Sequence, residues 1–215
     1  MKSHIRFLHA VPDGGPVDIY LGDTVVSRSL PYGEATPHML TEAGRTRVRV
    51  LPAGQTEGEL LRNGIIIPEQ SVYTVVFGHP ETYAELLPME EPMLELPEGS
   101  GGLRVANFTT PAGSCDVWLR RENEEPEALF SDVNSQEVTE YAVLPAGEYS
   151  LEFRSPKGPT MAEALGISVQ PGRFYTVYLL GRDQPEEEAF PVITVQMEDG
   201  NGAAAPCRPV PAAKN

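Results

Sequence analysis

The sequence is poor in the residue types that build metal centres and covalent frameworks. It contains two cysteines, Cys115 and Cys207, and four histidines in 215 residues. Two cysteines cannot form the disulfide framework of a small secreted protein, so we expect two free thiols. The spacings His-x-His, His-Glu-x-x-His and Cys-x-x-Cys do not occur, and zinc therefore has no motif to support it. We predict neither a metal nor a cofactor.

Sequence motifs of catalysis are also missing. No Gly-rich loop precedes a helical pattern, which leaves phosphate binding unsupported. Gly-x-Ser-x-Gly is absent, and the similar Gly-Ser-Gly at residues 99–101 falls in a linker-like stretch. These absences favour a protein that is not an enzyme.

Long apolar runs are absent as well. No stretch approaches the roughly 20 residues of a membrane helix, and the polar residues 1–4 lead into residues 5–8 without a signal-peptide pattern. We expect no membrane insertion and a cytoplasmic location at synthesis, with cell-surface or spore association left open.

Basic residues are scarce: 16 Lys and Arg stand against 31 Asp and Glu, for a net charge of −15. Both halves are acidic, with 7 basic and 13 acidic residues in 1–95 and 7 and 17 in 101–200. An acidic surface repels phosphate backbones, so nucleic acid is an unsuitable partner. Solubility is the simplest reading of the charge.

What the sequence does have is an internal repeat. Residues 18–21, Asp-Ile-Tyr-Leu, recur as Asp-Val-Trp-Leu at 116–119, an offset of 98. Tyr-Thr-Val at 73–75 recurs at 175–177, an offset of 102. The matched blocks keep their order, and the offset drifts only between them, where loops absorb insertions. We therefore predict two tandem copies of one domain of about 95 residues.

The pattern within each copy is that of β-strands. Residues 45–50 alternate basic with apolar or Thr side chains, and residues 149–154 repeat the alternation. Residues 72–77 and 174–180 are nearly continuous β-branched and aromatic runs, typical of central strands. With turns every 8–12 residues, the fold class expected is all-β, as two tandem β-sandwiches.

The chain divides by composition into four parts. Only two stretches have a helix-like pattern, residues 56–63 and 159–165, at the same place in each copy. Gly and Ser mark the linker, and the C-terminal residues offer almost nothing to bury. The predicted parts are a first β-sandwich at 1–96, a linker at 97–102, a second β-sandwich at 103–197 and a disordered tail at 198–215.

Residues 9–20, His-Ala-Val-Pro-Asp-Gly-Gly-Pro-Val-Asp-Ile-Tyr, resemble the domain-of-unknown-function 4397 family of bacterial proteins. That family has a strand ending in His-Ala-Ser-Pro-Asp, a turn of small residues and then Val-Asp-Val-Tyr. Its later Leu-Pro-Ala-Gly turn and Tyr-Thr-Val strand are similar to residues 41–44 and 73–78. The resemblance extends over both copies and implies an immunoglobulin-like or transthyretin-like β-sandwich, often on envelope proteins, with no known reaction.

The candidate site is the end of the first copy between Pro12 and Asp18. His9, Asp13, Asp18 and Tyr20 gather there if the strand-turn-strand reading holds. As a site, the cluster suits a carbohydrate or a divalent cation. As architecture, the aspartates bond backbone N–H groups of the turns. The second copy lacks the His and the Pro-Asp but keeps the second aspartate, which favours architecture.

The arginines at 45, 47 and 49 form a second candidate, able to grip an acidic polymer or simply to face solvent. The matching residues of the second copy are Glu148, Ser150 and Glu152. We expect a non-catalytic structural or interaction module whose partner is a protein or a surface polymer rather than a small molecule. The alternative is a module for carbohydrate or a divalent cation. The sequence does not indicate the oligomeric state.

Overall fold

The computed structural model describes residues 2–12, 14–78, 84–91, 94–110, 113–156, 160–182, 192–200 and 210–211. Residues 1–93 with Gly200 group into one compact unit, and residues 94–199 make up most of the other. The described residues form strands and no helix. The all-β prediction is confirmed; the immunoglobulin-like or transthyretin-like type stays a prediction.

The first unit has eight strands in two four-stranded sheets, ordered β4-β1-β7-β8 and β3-β2-β5-β6. Strands β1 and β7 pair in parallel, and the other pairs are antiparallel. The strands are β1 Lys2–His9, β2 Val17–Leu21, β3 Thr24–Leu30, β4 Met39–Glu42, β5 Gly44–Pro52, β6 Leu61–Ile67, β7 Val72–Gly78 and β8 Glu85–Glu90.

The second unit repeats this arrangement in its first eight strands and has one strand more. Its sheets are ordered β12-β9-β15-β16-β17 and β11-β10-β13-β14, and again the pair between first and seventh strands, β9 and β15, is parallel. The strands are β9 Ser100–Thr110, β10 Ser114–Arg121, β11 Glu127–Asn134, β12 Ala142–Pro145, β13 Gly147–Arg154, β14 Thr160–Val169, β15 Phe174–Arg182, β16 Ile193–Asp199 and the two-residue β17 Val210–Pro211.

Each unit buries a core between its own two sheets. In the first, Phe7 of one sheet and Val50 of the other belong to one cluster of buried side chains. In the second, Val105 and Leu151 do the same. Alternation along the strands produces these faces, because successive side chains point to opposite sides of a sheet.

The two stretches with a helix-like pattern contain no helix in their described residues. Residues 61–63 and 160–165 belong to the antiparallel strands β6 and β14. In β6 the side chains of Leu61, Ile65 and Ile67 are buried, and residues 62–64 and 66 are exposed. The sandwich needs a fourth strand there, and tertiary pairing overrides the weak local helix pattern.

The predicted linker and tail overlap strands at both ends of the second unit. Strand β9 starts at Ser100, so Gly101 and Gly102 are buried strand residues. A Cβ on Gly101 would lie 2.5 Å from Val169 Cγ1 and 2.7 Å from the Gln170 carbonyl oxygen. Close approach of neighbouring chain, not flexibility, requires this glycine. Likewise β16 runs to Asp199, past the predicted start of the tail.

Candidate functional site

The His9 side chain is fully buried at the end of β1. Its Nδ1 accepts the N–H of Val11 at 3.2 Å, and Nε2 lies 3.1 Å from the Gly15 carbonyl oxygen. These partners require the neutral ring with its proton on Nε2, because a carbonyl can only accept. Burial lowers the pKa of His9, against the opposing effect of the Gly15 hydrogen bond. The ring also packs 5.4 Å from the Phe77 ring.

Asn107 occupies the same place in the second unit, 98 residues on. Its Oδ1 accepts the N–H of Thr109 at 3.0 Å, two residues along as in the first unit. Its Nδ2 donates to the carbonyl of Gly113, the repeat counterpart of Gly15, at 3.5 Å and to that of Val133 at 3.0 Å. Asparagine thus supplies the acceptor and donor that neutral histidine supplies. The hydrogen bonding at this position needs no imidazole.

Asp18 is buried in β2 and holds two backbone turns. Its Oδ1 accepts the N–H of Ser29 at 2.8 Å, and Oδ2 accepts that of Gly54 at 3.1 Å. Both donors have positive φ, 53° at Ser29 and 74° at Gly54. The exposed Arg28 guanidinium adds an ion pair at 3.3 Å. A carboxylate suits this position because it accepts several N–H bonds at once.

The aspartate of the second unit repeats half of this arrangement. Asp116 Oδ1 accepts the N–H of Asp132 at 3.0 Å, and Asp132 again has a positive φ, 55°. The strand register shifts beside the aspartate in both units, as at a β-bulge. An aspartate in the second strand therefore secures a bulge in the third strand of each unit.

Of the predicted cluster, the structure brings His9 and Asp18 to one end of the first unit and engages both in protein contacts. Asp13 lies outside the described residues. Tyr20 is half-buried on the outer face of its sheet, with the Arg49 guanidinium 4.6 Å above its ring. In the second unit Arg154 covers Trp118 in the same way at 4.5 Å. The described members of the cluster thus have the contacts of architectural residues.

A buried ionic cluster occupies the parallel-paired sheet of the first unit. The Arg6 guanidinium lies 3.1 Å from Glu91 and donates to the Thr74 hydroxyl at 2.6 Å. The hydroxyl in turn donates to Glu91, and His38 lies 3.2 Å from the same carboxylate. Burial alone would raise the pKa of Glu91, but the His38 hydrogen bond and the Arg6 charge hold it below its ordinary value.

The second unit has an equivalent cluster. Arg104 donates to the Thr176 hydroxyl at 2.9 Å and lies 3.6 Å from Asp199, to which that hydroxyl donates. Tyr141 takes the place of His38, with its hydroxyl 2.6 Å from the Asp199 carboxylate. The arginine and threonine stand in the matched sequence blocks. The acids do not, since they follow unequal loops, and sequence reasoning missed them.

A row of basic side chains lies on the outer face of β5 and β6. Arg45 and Arg47 are exposed and make no ion pair with any acid of the described residues. Arg49 and Arg62 share one acid, Glu59, at 3.2 and 2.7 Å. A groove of about 450 Å³ runs between Arg45, Arg47 and Arg62. We call these four arginines the basic face.

Metal ligands and cysteines are the remaining groups to consider in the described residues. They contain no group of three or more His, Cys, Asp or Glu placed to hold a metal ion. Cys115 is buried, with its sulfur 3.9 Å from Asn107 Nδ2, and Cys207 lies outside them. Nor do they include a helix with the length and apolarity to cross a bilayer.

Residues 3–118 match the family described as Domain of unknown function (DUF4397). The chain belongs to this family. The match covers residues 3–93 of the first unit and continues through β9 into β10. No curated protein matches the chain. DUF4397 membership agrees with the resemblance seen in residues 9–20. The description of the family names no activity.

Proposed function

We propose that this DUF4397 protein is a non-catalytic binding module whose first unit presents the basic face to an acidic macromolecule. The observation that carries the proposal is the pair Arg45 and Arg47, exposed cations without an acid partner in the described part of a chain of net charge −15. On such a chain, unpaired arginines in a row concentrate positive potential locally and steer an acidic partner to one place.

The Pro12–Asp18 end supports a ligand less well than the basic face. The oxygens of Asp18 already accept backbone N–H groups, and both ring nitrogens of His9 have protein partners. A sugar or cation would have to displace these bonds, leaving buried donors unpaired. The same satisfied contacts speak against His9 as a general base.

We also propose that the second unit is a second copy of the family domain. Shared strand order, the shared parallel pair and the recurrence of Asp18 as Asp116 support this. Its outer face differs in charge, with Glu148, Ser150 and Glu152 at the positions of the arginines. The two copies would therefore differ in partner, with the acidic macromolecule binding to the first.

Binding of poly-L-glutamate, followed by titration calorimetry at low and physiological salt, tests the proposal. The double variant Arg45→Glu/Arg47→Glu should lose about tenfold or more in affinity at low salt, where exposed charges are least screened. A matched control reverses two exposed arginines of the second unit, Arg120→Glu/Arg173→Glu, for the same net charge.

Equal losses in the two double variants would mean that net charge alone governs binding, and would contradict a site on the basic face. Absence of binding to the unaltered protein at low salt would contradict the proposal altogether. Circular dichroism of each variant checks that the β-sandwiches remain folded.

A further inference from the structure

Strand β6 is an edge strand that lies directly beside the basic face. In the order β3-β2-β5-β6, strand β5 pairs with one side of β6, and no strand of the described residues pairs with the other. An edge strand presents unpaired N–H and C=O groups that an extended peptide can use. The Gly64 N–H is bonded to the side chain of its neighbour Asn63 at 2.8 Å, in an exposed contact that a peptide carbonyl can replace.

The outer face of β6 carries a short row of three positions. Arg62 pairs across the sheet with Arg49, Gly64 with Arg47, and Ile66 with Arg45. Ile66 is 73% exposed, the most exposed of the large hydrophobic side chains in the described residues. Along the edge, the row therefore presents a cation at Arg62, no side chain at Gly64 and an apolar side chain at Ile66.

The gap at Gly64 lets a cation reach toward the edge. A Cβ on Gly64 would lie 3.5 Å from Arg45 Nε and 3.8 Å from its Nη2. The Arg45 guanidinium therefore extends diagonally from β5 over β6, into the space that a side chain at 64 would occupy. The positive charge of Arg45, and that of Arg62 with its partner Glu59, thus lie above the edge strand.

The equivalent edge of the second unit, β14, also has an exposed apolar side chain, Leu165, and a glycine, Gly166, but it is irregular. Its pairing with β13 shifts register between Tyr149 and Leu151, and Gly166 in β14 has a φ of 67°. Bulges of this kind bend an edge and blunt it against further pairing. Strand β6, by contrast, pairs with β5 through seven successive residues without a shift.

We infer that β6 binds an acidic, extended peptide as a fifth, antiparallel strand of its sheet. This inference rests on the proposed function and names the partner of the basic face. Side chains of the added strand that face outward recur every second residue. Opposite Ile66, Gly64 and Arg62 they would be apolar, acidic and acidic in turn, so the peptide reads apolar-x-Glu-x-Glu.

The probe is a fluorescently labelled peptide, Thr-Val-Thr-Glu-Thr-Glu-Thr, capped at both ends and measured by anisotropy. Two further peptides carry N-methyl groups, one on its odd residues and one on its even residues. Charge is equal in all three, but only one phase of N–H groups faces the edge strand. One methylated peptide should lose about tenfold or more in affinity while the other keeps most of it.

Hydrogen exchange on the intact protein supplies the second readout. Peptide binding should slow exchange of residues 61–67 and leave residues 160–169 of the second unit unchanged. Gly64→Val should weaken binding about fivefold or more, because the new side chain displaces the Arg45 guanidinium. Its Cβ meets no described atom closer than 3.5 Å, so the fold should tolerate it. Arg120→Glu should leave peptide affinity within about twofold at physiological salt.

Equal binding of both methylated peptides, or unchanged exchange in β6, would overturn strand addition. If poly-L-glutamate still bound through Arg45 and Arg47 in that case, the proposed function would survive without it. If neither polymer nor peptide bound, both proposals would fail together.

Discussion

The two units of this chain keep the same interior and differ at the surface. Inside, an arginine and a threonine on the parallel-paired strands hold a buried acid in each unit, Glu91 in the first and Asp199 in the second. Outside, arginines of one sheet face become Glu148, Ser150 and Glu152 of the other. The comparison teaches which positions the fold requires and which are free to take up a partner.

His9 shows how comparing the two units separates positions that the fold requires from positions that are free to bind a partner. As a single residue beside a loop it suggests a site. Set against Asn107, it performs the same two hydrogen bonds with a different chemical group. What both units preserve is a donor and an acceptor in the same places.

The largest expected effect comes from breaking one ionic cluster and not the other. Glu91→Gln should destabilise the first unit by about 3–5 kcal/mol, because it leaves the Arg6 charge buried without its counterion. Thermal unfolding followed by calorimetry measures this loss. Trp118, the only tryptophan, lies in the second unit, and its fluorescence transition should not move if the units unfold independently.

Glu90→Gln is the matched control, since this neighbouring carboxylate is exposed and makes no ion pair in the described residues. If the melting temperature reported by Trp118 fell as much as the calorimetric one in the Glu91 variant, the two units would unfold as one. An unchanged calorimetric transition would contradict the importance of the buried cluster.

A smaller contrast is expected between the two aspartates that secure the bulges. Asp18→Ala should cost about 1–3 kcal/mol, since two backbone donors lose a buried carboxylate as their acceptor in part-buried hydrogen bonds. Asp116→Ala should cost about 1 kcal/mol or less, because it accepts one backbone N–H and is more exposed. Chemical denaturation of each variant measures the difference, with the exposed Asp23→Ala as control.

Equal costs for the two substitutions would mean that the Gly54 bond of Asp18 contributes nothing. If Asp18→Ala left stability unchanged but abolished binding to a ligand, the architectural assignment of this end would be wrong.

The smallest effect is a dependence of stability on pH. Burial lowers the pKa of His9 from its ordinary value of 6.5, so the unfolded chain binds this proton more readily than the folded chain does. Stability of the first unit should therefore fall as the pH drops below about 6.5 toward the lowered pKa. His9→Asn, which copies Asn107, should remove this part of the pH dependence.

Melting temperatures at pH 7.5 and 5.5 measure the difference, and His4→Asn serves as the histidine control. If the His9→Asn variant kept the full pH dependence of stability, a group other than His9 would be its cause. A large loss of stability in that variant at pH 7.5 would show that asparagine cannot replace the ring in the first unit.

The sequence by itself determined the all-β class and the faces of β5 and β13. Alternation of side chains is a local property of extended backbone, so it can be read without knowing any partner strand. The aspartates of the second strand were also recognisable, because they recur in a matched block. The family resemblance rested on the same local pattern.

Only the tertiary structure decided the rest. The helix-like residues became edge strands because each sheet had a free side for them to pair with. Gly101 falls in the predicted linker, but it is a strand residue whose missing side chain lets Val169 approach closely. Asp199 looked like tail, yet Arg104 and Thr176 hold it from strands far away in sequence. Contacts between distant residues leave no periodic trace, because each partner is chosen by the fold and not by its neighbours along the chain.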